Sequence, residues 1–138
     1  MDSPHATTAL HRRLVFPPDD RGGCVLRGLA FTRFALAGWR PDADDASVGD
    51  TLLVVAELLA NAVDHAGGPL SLDLRLGADA ARLRIEVADP VAAEPYLRLV
   101  PPTEPHGRGV RIVDRVAEDW GSRPEGRGKT VWAECRLR

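Results

Sequence analysis

Glu57 and Asn61 stand four residues apart, with Asp64 seven after Glu57, in a run from Leu52 to His65 whose other residues are nearly all apolar. At the helical period these three polar side chains share one face. A carboxylate or an amide buried there without a partner would cost on the order of a few kcal/mol. Either the face is a solvated edge of the helix, or something polar meets it. For the second option the residue types allow acid–base and ligand chemistry. A carboxylate one helical turn away can orient an attacking hydroxyl or water and take its proton. An amide oxygen is a hard ligand, and magnesium needs few of those from the protein when phosphates supply the rest.

Three further segments carry residue types of the same kind. Ile85-Glu86-Val87-Ala88-Asp89 ends an alternating stretch in a carboxylate. Gly107-Arg108-Gly109-Val110, after His106, has the glycines of a helix entry, where free backbone N–H groups can hold an anion. Gly128-Lys129-Thr130-Val131-Trp132 opens a second alternating stretch. Taken singly, Asp89-Pro90 reads as a turn at a strand end and Gly107/Gly109 as an ordinary loop. Two other readings fail. Gly128-Lys129-Thr130 echoes a Walker A ending, but Arg123 stands where its first glycine belongs and a strand pattern follows. Gly107-x-Gly109 lacks the third glycine of a dinucleotide fingerprint, Ile112 standing there. His5, His11, His65 and His106 lack metal-ligand spacing, and His65 reads as a packed or capping residue. Cys24 and Cys135 have no C-x-x-C spacing and are expected to be reduced thiols, with no zinc site.

These segments need positioning elements, and the periodicity supplies them. Residues 1–10 are expected to fray. Arg13 to Phe16 reads as a short strand stopped by Pro17-Pro18. A helical pattern runs from Asp19/Asp20 to Gly38, and a second helix from an N-cap at Asp45 or Ser47 to Gly67-Gly68. The period then drops to two: Leu70 to Leu76 and Leu83 to Val87 read as a hairpin with one buried face. Pro90 to His106 holds five prolines and no period, and reads as a long loop. A short helix through Val116 and strands at about 118–122 and 130–137 complete an α+β chain.

Composition agrees with one domain spanning residues 1–138. The chain is 44% hydrophobic and 28% charged, ordinary for a globular domain. A net charge of −2, without a polarised half, argues against a nucleic-acid binder. Neither a membrane span nor a signal peptide is read in the sequence, so the expected location is the cytoplasm. Lys129 is the only lysine among many arginines, a bias read as genomic and not chemical.

In this order and on these element types, the four segments resemble the boxes of the Bergerat, histidine-kinase-like ATPases, the superfamily of DNA gyrase, the heat-shock chaperone ATPase, the mismatch-repair ATPase and sensor histidine kinases. The resemblance covers about Thr51 to Glu134. It implies a two-layer α/β sandwich, its mixed and mostly antiparallel sheet covered on one face by helices. It further implies ATP and Mg2+ as cofactors, with Glu57 as general base and Asn61 as magnesium ligand. Asp89 would accept the adenine amino hydrogen bond, Gly107, Arg108, Gly109 and Val110 would hold phosphate, and Thr130 would support the adenine site. Residues 90–106 would form an ATP lid.

Length narrows the branch. The gyrase, chaperone and mismatch-repair types need a transducer domain, and a histidine kinase needs a dimerising segment with a phospho-acceptor histidine. Phe16-Pro17-Pro18 and the boxes from Glu57 to Trp132 look like the stand-alone anti-sigma serine kinases of bacterial partner switching. That branch implies ATP-dependent phosphorylation of a Ser/Thr on an anti-anti-sigma antagonist, sequestration of a sigma factor, and often a homodimer. Two departures stand out. Pro90-Val91-Ala92-Ala93 replaces the glycines of the fuller D-x-G-x-G form, and Asp64 stands where the branch commonly has a basic residue. They leave as the alternative a non-catalytic anti-sigma module, nucleotide-binding or nucleotide-independent.

Overall fold

The computed structural model describes residues 8–18, 22–92 and 108–138. Its elements run β1 (Thr8–Val15), α1 (Cys24–Trp39), α2 (Asp45–Ala66), β2 (Ser71–Gly77), β3 (Arg82–Asp89), α3 (Arg108–Val116), β4 (Asp119–Glu125) and β5 (Gly128–Arg136). The five strands form one sheet in the order β1-β2-β3-β5-β4, and all four pairings are antiparallel.

Alternation decides the two faces. Leu72, Leu74 and Leu76 lie across from Val87, Ile85 and Leu83, and these in turn from Val131, Ala133 and Cys135. All nine are buried, and with Val54, Val55, Leu58, Leu59 and Ala62 of α2 they make the core. α2 packs on β3, β5, α1 and α3, so its apolar circumference is explained by neighbours on several sides. By length and composition alone α2, at mean hydropathy 1.5, could cross a membrane; here it is the central core helix. α1 approaches it closely, because a Cβ on Gly28 would overlap the Leu59 side chain.

The boundaries correct several expectations. Thr8 to Leu10, expected to fray, belong to β1, because Leu10 lies opposite Leu76 at the sheet edge. Residues 1–7 lie outside the described residues. α1 begins at Cys24 behind Gly23, without a side-chain cap. The N-cap of α2 is Asp44, whose carboxylate accepts from the Ser47 amide at 2.8 Å. Asp45 and Ser47 are inside the helix. Its stop is as read: Gly67 takes the left-handed conformation, φ 76°, that a side chain would resist.

The other face of the sheet departs most from expectation. Its central polar residues are not solvated. Asp73, Arg84 and Glu86 are buried along with Trp132. Glu86 accepts from Arg75 Nε at 2.8 Å, Arg84 Nε at 3.2 Å and Arg123 Nη1 at 3.4 Å. Asp73 receives Arg13 at 2.8 Å and His11 at 2.6 Å, and Arg84 lies 4.2 Å over the Trp132 ring. Arg13, Arg75, Arg84 and Arg123, one from each of β1 to β4, converge on the two carboxylates, which alternation alone does not foretell.

Burial by itself would raise the Glu86 carboxyl, but the hydrogen bonds from Arg75 and Arg84 outweigh it and hold the group below the ordinary glutamate range. A lowered folded-state pKa contributes stability that is present above the unfolded value and lost as pH falls through the folded one. Glu86→Gln is therefore expected to destabilise the chain by about 3 kcal/mol at neutral pH. That deficit should shrink as both proteins are taken into acid. Urea melts at pH 7 and pH 3 check this, and a deficit unchanged between them would contradict the assignment.

Candidate functional site

α2 carries Glu57 and Asn61 half-buried and Asp64 exposed, in the order of one helical face. Among the described residues neither Glu57 nor Asn61 has a side-chain hydrogen-bond or ion-pair partner. Partial burial raises the Glu57 carboxyl above its ordinary value, and the nearby charge of Asp64 adds to the rise. A carboxylate moved toward neutrality is a better proton acceptor at working pH than an ordinary glutamate.

Asp89 ends β3 on the helix-facing side of the sheet, in line with Val87 and Ile85. Directly opposite it in the ladder is Lys129, the second residue of β5. The lysine ammonium lies 3.0 Å from Asp89 Oδ1 and 2.9 Å from Oδ2, and it also donates to the Val91 carbonyl at 2.9 Å. The Val91 amide donates back to Asp89 Oδ1 at 2.9 Å. Both side chains are buried. Gly128 makes the close approach feasible, since a Cβ there would overlap the Asp89 carbonyl oxygen.

Thr130, the next residue, points to the opposite face and its hydroxyl donates to Glu125. The structure therefore does not bring the Thr130 side chain to Asp89. Lys129 stands there instead. It was missed in the sequence, although a signal existed: the only lysine of an arginine-rich chain sits beside a glycine at a strand start. α3 opens at Arg108 and packs against α2, with Arg108, Gly109 and Val110 forming its first turn. Gly107 and the expected lid after Ala92 lie outside the described residues. Cys24 and Cys135 are buried thiols, and burial pushes Cys135 up to about 12, leaving it inert. Among the described residues no group of three or more His, Cys, Asp or Glu is arranged to hold a metal ion.

The residues present fit Mg-ATP unevenly. Asn61 offers a half-buried amide oxygen without a partner among the described residues, suited to a magnesium that leans on phosphates for its other ligands. At the other end both Asp89 oxygens face Lys129 and the carboxylate is buried, so an adenine amino group has no open approach to it as it stands.

Comparison with known proteins agrees with the fold. The sequence matches the histidine kinase-like ATPase domain family over residues 27–135, and the chain belongs to that family. Among solved structures it is similar to the RsbU and RsbW domains of Rv1364c from Mycobacterium tuberculosis, with a TM-score of 0.68 at 16% identity. The alignment covers 94% of this chain and 33% of that one, so this chain spans about a third of the length it matches. Comparison with curated proteins finds no match.

Proposed function

We propose that this chain binds Mg-ATP, phosphorylates a serine or threonine of an anti-anti-sigma antagonist, and sequesters a sigma factor in a partner-switching system. The observation that carries the proposal is the α2 pair: Glu57, raised in pKa, one turn from the Asn61 amide, which has no partner among the described residues. Family membership and the likeness to a structure containing an RsbW domain support it. Bound Mg-ATP would supply the phosphoryl group and neutralise its developing charge. Asn61 would hold the metal, and the first turn of α3 at Arg108, Gly109 and Val110 would present backbone N–H groups to phosphate. Glu57 would orient the antagonist's hydroxyl and take its proton at a carboxylate oxygen. In that reading Asp89 would take the adenine amino group only against its hold on Lys129, and Thr130, held by Glu125, is not assigned to the base.

The test is thermal. Ligand at a hundred times its dissociation constant stabilises the folded state by about 2.7 kcal/mol. For a domain of this size that raises Tm by roughly 10 °C. A magnesium-dependent rise with saturating ATP is expected, and no rise at millimolar Mg-ATP would defeat the proposal. A second reading, an anti-sigma module that sequesters its partner without phosphoryl transfer, is favoured by one observation, the occupied Asp89. It predicts sigma-factor binding that is indifferent to nucleotide.

A further inference from the structure

We infer that Lys129 is an internal competitor for the base-reading carboxylate, and that it sets the affinity of this site for adenine nucleotides. The inference rests on the nucleotide reading above and goes beyond it. Lys129 Nζ has three protons, and three acceptors surround it: both oxygens of Asp89 and the Val91 carbonyl. The side chains of the pair are 4% and 2% exposed, so water does not share the work. Oδ1 already accepts two bonds, and Oδ2 keeps a lone pair but is buried against the ammonium, so an amino group reaching Asp89 has to shift the lysine. That leaves Lys129 buried without its counter-charge, or drives it out of the sheet end together with its hold on Val91.

A neutral amine–carboxylate hydrogen bond returns less than the breaking of a buried, fully hydrogen-bonded ion pair costs. Every base that uses Asp89 is therefore bound against the lysine. Register makes this competition unavoidable: Lys129 is the ladder partner of Asp89, and Gly128 fixes the two strands at close approach. A shorter uncharged residue at position 129 would leave the carboxylate with one donor, the Val91 amide, and room for another.

Calorimetric titration with Mg-ADP tests the inference in the full chain. Lys129→Thr is expected to tighten the dissociation constant by roughly 10–100-fold, and to lower Tm without ligand because Asp89 loses its counter-charge. Lys129→Gln keeps a neutral donor for Asp89 and should fall between the two, which covers the case in which the threonine variant does not fold. Asp89→Asn combined with Lys129→Thr removes both charges, and there the gain should vanish. Equal or weaker binding by Lys129→Thr and Lys129→Gln would overturn the competition while leaving the nucleotide reading intact. A gain that persists in the double variant would overturn it too, since the effect would not pass through the carboxylate. Absence of Mg-ADP binding in every variant would overturn both.

Discussion

Glu57→Gln should leave Mg-ATP binding in place while phosphoryl transfer to the antagonist falls by roughly 10²–10⁴, the usual scale for a general base. The amide keeps the size of the carboxylate and can still hydrogen-bond a hydroxyl, but it cannot take the proton. Because burial and Asp64 raise the Glu57 carboxyl, the same substitution removes a charge that the fold disfavours, so the variant should be no less stable than the wild type at neutral pH. Asn61→Ala should behave differently: magnesium-dependent nucleotide binding and transfer should fail together, as expected for loss of a metal ligand. The contrast is decided by measuring binding and single-turnover transfer side by side. Transfer at the wild-type rate by Glu57→Gln would show that the proton goes elsewhere.

Gly128→Ala should destabilise the chain by about 3 kcal/mol or more, with Tm lower by roughly 10 °C. The added methyl would meet the Asp89 carbonyl oxygen and carbon and the Pro90 Cα, all backbone atoms. Backbone pinned by the β3–β5 ladder cannot move aside as a side-chain end can. Gly49→Ala provides the opposite sign. That position lies in α2 with nothing near a Cβ, so alanine there should stabilise by about 0.5–1 kcal/mol through helix propensity. Thermal melts of both variants check the pair. A neutral Gly128→Ala would mean that the two strands can part at their end, and that Asp89 and Lys129 are not held together by the ladder.

The sequence was most legible where periodicity had a single solution. Leu72, Leu74 and Leu76 against Leu83, Ile85 and Val87 declared the central hairpin, and the run from Leu52 to Val63 closed by Gly67 declared α2. Periodicity told which residues share a face but not what covers it, so the burial of Arg84 and Glu86 under neighbouring arginines was hidden. The start of β1 escaped because His11 and Arg12 on an edge strand carry no apolar alternation. The N-cap was misplaced because Asp44, Asp45 and Ser47 are all competent, and only geometry chooses among them. At the site, Glu57 and Asn61 were readable from local spacing. The Asp89–Lys129 pair was not, since its members are forty residues apart and meet only through strand register.

Phosphoryl transfer is measured most directly by the fate of the γ-phosphate. The wild-type chain is mixed with radiolabelled Mg-ATP and a purified anti-anti-sigma protein, and the antagonist is recovered and assayed for phosphoserine or phosphothreonine. Label is expected on one hydroxyl of the antagonist, dependent on magnesium and lost with Glu57→Gln. A wild-type chain that binds both nucleotide and antagonist yet leaves the antagonist unlabelled would contradict the claim.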